Sequence, residues 1–204
     1  MRRPVKIGIT WGIGSGKSTI CRMFAMLGAP YYDCDARAKD IMEEDPVLIK
    51  NIKAIFGDNA YSGGKPDRAY LASKVFTDRD ALEKLNAMVH PAVINDFRDW
   101  LGACPGDVPY AVMESAILFE SGLENEVDYV ITVSAPESTR IERTMERDGL
   151  PREKVEARIA NQMTDSERER RSDLVIKNDD RELVWEQVTE LDALFRKWYN
   201  ENRK

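Results

Sequence analysis

The sequence predicts an α/β protein with a central parallel five-stranded sheet flanked by helices. Three observations carry that expectation. Strand-like and helix-like stretches alternate along the chain, the pattern of a parallel sheet with helical crossovers. A glycine-rich segment, Gly12 to Gly16, stands between the first strand-like and the first helix-like stretch. The chain closes on an amphipathic stretch over 181–199, with Leu183, Val184, Val188, Leu191, Leu194, Phe195 and Trp198 at helical spacing.

Each element has its own signal. Val5 to Thr10 reads as the first strand, and Ser18 to Leu27 as a helix stopped by Gly28. Ala29 to Tyr32 is a short second strand, and a helix begins over Ala36 to Met42. Pro46 to Phe56 is a helix with Leu48, Ile49, Ile52, Ile55 and Phe56 on one face, ending at Gly57. Tyr61 to Lys65, with Gly63-Gly64, reads as loop. Thr77 or Asp78 can cap a helix running to about Met88. Pro91 suits the first position of a separate helix to about Leu101, and it biases residue 90 away from helical geometry. Gly102 to Pro109 is a turn, and Tyr110 to Met113 and Tyr129 to Val133 are buried strands. Pro136 to Arg147 is a helix stopped by Gly149, Pro151 to Met163 a charged helix, and Leu174 to Ile176 the last strand.

Composition narrows the function. A length of 204 residues suits one domain with an inserted lobe. With 30 Lys and Arg against 36 Asp and Glu, the net charge of −6 argues against electrostatic capture of nucleic acid or an anionic membrane. The single histidine, His90, excludes a zinc site built on several histidines. A Ser-His-Asp apparatus could be built only on that residue. Cys21, Cys34 and Cys104 have no metal-like spacing and make no disulfide framework. The apolar run after the N-terminal arginines is too short for a signal peptide. No segment approaches the roughly 20 apolar residues of a membrane span. A cytoplasmic location is expected.

The sharpest local signal is Gly12-Ile13-Gly14-Ser15-Gly16-Lys17-Ser18-Thr19, placed after a strand and opening a helix, the context of a phosphate-binding P-loop. Glycines let successive N–H groups converge on one concavity. The helix N-terminus adds its free N–H groups and positive dipole end. Lys17 supplies a full charge for the outer phosphates of ATP. Ser18 offers a hydroxyl to Mg²⁺ shared with the nucleotide, whereas Thr19 faces the helix interior. The pattern G-x-x-x-x-G-K-[ST] has its first glycine at position 11, where this chain has Trp11. Gly14 and Gly16, which the approach of phosphate requires, are intact. No N-K-x-D element for reading guanine occurs. One P-loop and an arginine-dense stretch from Arg140 to Arg171 suit a small-molecule kinase, whose work is positioning and charge neutralisation.

A set of motifs resembles the dephospho-CoA kinase family across nearly the whole chain. Thr10 through Ser18 resembles its T-G-G-I-G-S-G-K-S, apart from Trp11. Leu27-Gly28 with Asp33-Cys34-Asp35 resembles its L-G and D-A-D, and Val75-Phe76 its V-F. Leu85 through Pro91 resembles L-N-x-x-x-H-P, and Leu118-Phe119-Glu120 resembles P-L-L-F-E, with Ala116 replacing the proline. Arg147-Asp148-Gly149 resembles R-D-G, Arg158-Ile159 with Gln162 resembles R-I-x-x-Q, and Ser172 through Asn178 resembles A-D-x-v-I-x-N.

The resemblance implies a P-loop kinase fold with helical acceptor-binding and lid regions. The boundaries expected are a core over about 1–35, 108–136 and 172–204, an acceptor lobe over about 36–107 and a lid over about 137–171. It implies transfer of a phosphoryl group from ATP to the ribose 3′-hydroxyl of dephospho-CoA, giving ADP and coenzyme A. The protein would be a monomer or weak homo-oligomer. Asp35 is implied as the base toward the acceptor hydroxyl, with Asp33 beside it. Both aspartates also suit the turn and cap of the helix from Ala36, with Asp33 the favoured cap. Glu114 matches the strand-end acid that holds Mg²⁺ through water, and His90 a contact to the acceptor. Arg147, Arg143 and Arg140 are the candidates to meet the phosphates. The interspersed Glu142, Glu146, Glu153 and Glu156 leave open that most of these arginines line a solvated helix. Two other readings stay open: a P-loop kinase of a nucleoside monophosphate or sugar, and a nucleotide-binding module whose Trp11 abolished catalysis.

Overall fold

The computed structural model describes residues 3–76, 78–179, 181 and 183–201. The chain divides into two compact units, Met1–Tyr32 with Cys104–Lys204, and Asp33–Ala103.

The first unit holds the five strands expected. They are β1 (Val5–Trp11), β2 (Tyr31–Asp33, its last residue already in the second unit), β5 (Tyr110–Glu114), β6 (Tyr129–Ser134) and β7 (Leu174–Lys177), in the order β2-β5-β1-β6-β7. The intervening β3 (Tyr61–Ser62) and β4 (Lys65–Pro66) lie in the second unit. Strand β1 is central and pairs in parallel with β5, Ile9 opposite Glu114, and with β6, Trp11 opposite Val133. β7 extends the sheet in parallel from β6. A parallel sheet is covered on both faces, and β1 and β5 are accordingly buried almost throughout. On one face lie α1 (Lys17–Met26) and α9 (Val184–Glu201). Ile20, Cys21 and Phe24 of α1 meet Val188 and Phe195 of α9 over Ile7, Ile9 and Val112 of the strands. The Phe24, Tyr110 and Phe195 rings pack with centroids 5.2 to 6.3 Å apart. The buried Tyr110 hydroxyl is satisfied by donating to Asp192 at 2.6 Å. Leu183, read from the sequence as part of this stripe, precedes α9 and is exposed.

Between β6 and β7 the chain forms α6 (Glu137–Asp148), α7 (Arg152–Ala160) and α8 (Asp165–Arg171). The expected helix over 151–163 is shorter, and α8 follows it. Thr164 starts α8 by accepting a bond from the Glu167 amide.

The second unit is helical: α2 (Cys34–Glu44), α3 (Pro46–Phe56), α4 (Arg68–Val75) and α5 (Arg79–Ala103). Asp45 caps α3 by accepting from the amides of Val47 and Leu48, with Pro46 in the first turn. The segment 61–65, expected to be loop, closes a two-residue ladder between β3 (Tyr61–Ser62) and β4 (Lys65–Pro66) around Gly63-Gly64. Asp78 caps α5 through the Ala81 amide; the alternative cap, Thr77, lies outside the described residues.

One expectation fails outright. The chain does not break at His90-Pro91 but runs as a single helix through both. A proline inside a helix costs about 3 kcal/mol. Val89, Val93 and Phe97 are buried along one stripe of α5, each contributing about 1.5–3 kcal/mol. A break would throw the two halves of that stripe out of register, so packing outweighs the proline. Arg37 of α2 reinforces the helix pair by bonding both oxygens of Asp96, at 2.9 and 2.7 Å. Among the described residues, no helix is long and apolar enough to cross a membrane.

Candidate active site

The turn from β1 into α1 is built by its glycines. Gly14 and Gly16 have φ of +81° and +89°, where a side chain strains the backbone. Both are also crowded: a Cβ on Gly14 would run into the Arg140 carbonyl, and one on Gly16 into the Asn178 amide. Trp11 replaces a glycine without strain because position 11 is the last residue of the strand, where extended geometry admits any residue.

The loop is held from outside. The Ile13 N–H donates to Gln162 at 2.9 Å, and the Ile13 carbonyl accepts from Arg140 at 3.4 Å. Asn178 donates to the Ser15 carbonyl at 2.7 Å. No side chain among the described residues caps α1, whose cap position is Gly16. Its first-turn N–H groups, with Lys17 and Ser18 in that turn, form the helix end at which anions bind.

Lys17 is ion-paired with Glu114. That carboxylate ends β5, is buried, and also accepts from the Tyr31 hydroxyl. The Lys17 ammonium lies 4.1 Å from the centre of the Trp11 ring. The base of the site is thus a chain of contacts from the Trp11 indole through the Lys17 ammonium and the buried Glu114 carboxylate to the Tyr31 phenol.

The three candidate arginines differ in place. Arg140 is buried and bridges the Ile13 carbonyl to Asp165. Asp165 also accepts from the buried Arg168 at 2.8 Å, and Arg168 donates on to the Met163 carbonyl at 2.6 Å. The two arginines are buried and share the half-buried Asp165, so removing that carboxylate would strand two buried charges. Arg143 donates to the Asn178 carbonyl at 3.3 Å. Together with Gly16, Thr19, Ile20, Asn178 and Val184, it lines a cavity of about 320 Å³ beside the loop; Thr19, expected to face the helix interior, is instead exposed at this cavity, on the outer side of α1. Arg147 is exposed and paired with Asp148 at 2.7 Å; Asp148 also takes Arg158 at 3.2 Å. The hydrogen bond between them raises the Arg147 pKa and lowers that of Asp148.

The remaining candidates lie in the second unit. Asp33 is the cap of α2, its Oδ1 accepting from the Ala36 amide at 2.9 Å. Asp35 stands exposed in the first turn of that helix. Between them, burial pushes the Cys34 thiol pKa up, and the two aspartates add to the shift. Cys34 therefore stays a thiol and serves as a small apolar residue. His90 is half-buried on α5, and burial lowers its pKa, which favours the neutral imidazole. Replacing Asp33 by Ala should cost about 1 kcal/mol of stability through the lost cap, measurable by urea unfolding. An unchanged midpoint would refute the capping role.

Residue reasoning alone did not reach Tyr31, Asp165 and Arg168. Gln162 and Asn178 appeared there only inside longer motifs.

Known proteins match this chain in sequence and fold. The family model for dephospho-CoA kinase matches residues 5–183. A dephospho-CoA kinase of Bacteroides fragilis is 38% identical over 189 residues, covering 93% of this chain and 92% of that protein. One of Porphyromonas gingivalis is 42% identical over 158 residues, covering 78% and 77%. The solved structure of dephospho-CoA kinase from Campylobacter jejuni superposes with a TM-score of 0.70 at 25% identity, covering 94% of this chain and 97% of that one. A P-loop on a parallel sheet, a strand-end carboxylate and matched family motifs converge on one conclusion: the chain belongs to the dephospho-CoA kinase family.

Proposed function

We propose that this chain transfers the γ-phosphoryl group of ATP to the ribose 3′-hydroxyl of dephospho-CoA, the last step of coenzyme A synthesis, with the residues below in the named roles. The observation that carries the nucleotide half is the uncapped N-terminus of α1, where Lys17 meets the buried Glu114.

Residues Gly12 to Thr19 are assigned to the ATP phosphates, with Ile13 and Ser15 fixing the loop through Gln162, Arg140 and Asn178. Lys17 is assigned to the outer phosphates, where charge develops during transfer. The cavity beside Arg143 and Asn178 is assigned to the nucleoside end of ATP. Ser18 and Glu114 offer oxygen donors only, the hard set that Mg²⁺ takes. Among the described residues, no cluster of three or more His, Cys, Asp or Glu could hold a metal alone. The donors thus suit an ion shared with the nucleotide: Ser18 would bind it directly, and Glu114 through water. When bound, Mg²⁺ neutralises charge on the phosphate oxygens.

Asp35 is assigned as the base that accepts the proton of the acceptor hydroxyl. Its support is the match to the family's second aspartate and the division of labour in which Asp33 already serves as the cap. His90, neutral and half-buried, is assigned a hydrogen-bonding contact to the acceptor, and Asp33 a place beside it. Residues 36–107 form the acceptor lobe and 137–171 the lid in this reading. Arg147 and Arg143 are assigned to the phosphates, and Arg140, bonded to the Ile13 carbonyl, to holding the loop that meets them. The protein would work in the cytoplasm as a monomer or weak homo-oligomer.

The decisive assay follows ADP release from MgATP with the purified protein. Release is expected only when dephospho-CoA is present. Release with adenylate or gluconate and none with dephospho-CoA would overturn the assignment in favour of another small-molecule kinase.

A further inference from the structure

Trp11 stands where the P-loop pattern has a glycine, so this chain has a side chain where that pattern has none. The side chain is not idle filling. It is buried, with 6% of its surface exposed, and packs in the core cluster with Ile9, Ile20 and Val133. Its ring also lies under the ammonium of Lys17, 4.1 Å from the centroid. Glu114 holds the same ammonium by an ion pair.

We propose that Trp11 is a positioning residue for Lys17, ordering its ammonium by a cation–π contact before nucleotide arrives. This rests on the nucleotide-binding part of the reading above and is independent of the acceptor.

The physical case lies in how the two partners of Lys17 differ. A lysine side chain is flexible and strongly hydrated, and fixing it costs up to about 2 kcal/mol of rotamer entropy. An ion pair with Glu114 fixes it but competes with phosphate, because both anions draw on the same three N–H donors. An indole face fixes it differently. The ring quadrupole attracts the cation and displaces water from one side, while leaving the positive charge unneutralised. The ring itself is locked by the core around it. Trp11 therefore lowers the cost of ordering Lys17 without opposing the phosphates that must recruit it.

The test is a double-mutant cycle read as the dissociation constant of MgADP, measured by calorimetry without acceptor. Cation–π strength falls from Trp to Phe and vanishes for Leu. Trp11→Leu should therefore weaken binding by about fivefold and Trp11→Phe by about twofold. In a Lys17→Met background, Trp11→Leu should change the dissociation constant no further, because its effect passes through the missing ammonium. An equal weakening in both backgrounds would show that Trp11 acts by packing alone and would overturn the proposal. So would Trp11→Leu binding as tightly as the parent. Should Trp11→Leu fail to fold, Trp11→Phe, which keeps an aromatic ring in the core, closes the same cycle against Lys17→Met.

Discussion

Lys17→Met should lower kcat/KM for MgATP by roughly a hundred- to a thousandfold, the range for removing one preorganised group at developing charge. Phosphoryl transfer leaves the protein little covalent work, so loss of a cation aimed at the outer phosphates falls directly on the barrier. The substitution has a second consequence that the sequence does not reveal. Glu114 is 1% exposed and keeps Lys17 as its ion partner in the free protein. Removing the ammonium leaves a buried carboxylate without a counter-charge, a change that costs about 3 kcal/mol. Stability and activity therefore fall together in the single variant. They separate in Lys17→Met/Glu114→Gln, which should recover most of the stability but none of the activity. Urea unfolding beside steady-state kinetics checks both. A double variant as unstable as the single one would remove the buried ion pair from the explanation. A Lys17→Met enzyme of near-parental kcat/KM would remove Lys17 from the catalytic assignment.

Asp35→Asn should slow phosphoryl transfer by about a hundredfold or more, the usual loss for a positioned general base. Nucleotide affinity should barely change. Asp35 is exposed in the first turn of α2, and the cap of that helix is Asp33. The lost attraction between a carboxylate and the helix N-terminus contributes about 0.3–1 kcal/mol to the structural cost. Single-turnover measurements with dephospho-CoA, alongside MgADP titration and thermal unfolding, distinguish the possibilities. A folded variant with a parental rate of transfer would show that Asp35 is no base. A variant that merely unfolds would place Asp35, like Asp33, among the residues that hold α2.

Much of the site was legible because it is local. The loop 12–19 is contiguous, and its glycines, lysine and serine have meaning at fixed spacing between a strand and a helix. The two aspartates around Cys34 were equally visible, and the favoured cap, Asp33, is the one that accepts from the Ala36 amide. The partners of the loop were not legible in that way. Gln162 is 149 residues from Ile13 in sequence, and Asn178 is 163 from Ser15; spacing cannot express such contacts. Arginine density announced a phosphate-handling region, and Arg147 ranked first there, ahead of Arg143 and Arg140, but density could not foretell their burial. In the fold Arg140 lies buried against Asp165, whereas Arg147 is solvated beside Asp148. The helix α8 did leave a local trace, since Thr164-Asp165-Ser166-Glu167 has the form of a capping box. That trace was hidden by reading the charged stretch before it as one helix.

By itself the sequence determined the five strands of the first unit and its helices other than α8, the phosphate-binding turn and the family to which its motifs correspond. These depend on backbone preferences, caps and periodicities, which act over a few residues. Only the tertiary structure decided that α5 runs through Pro91, that Trp11 lies beneath Lys17 and that Glu114 is the partner of that lysine. Those outcomes turn on burial and on charges brought together by the fold. Packing of this size overrides a local cost of about 3 kcal/mol such as a helical proline.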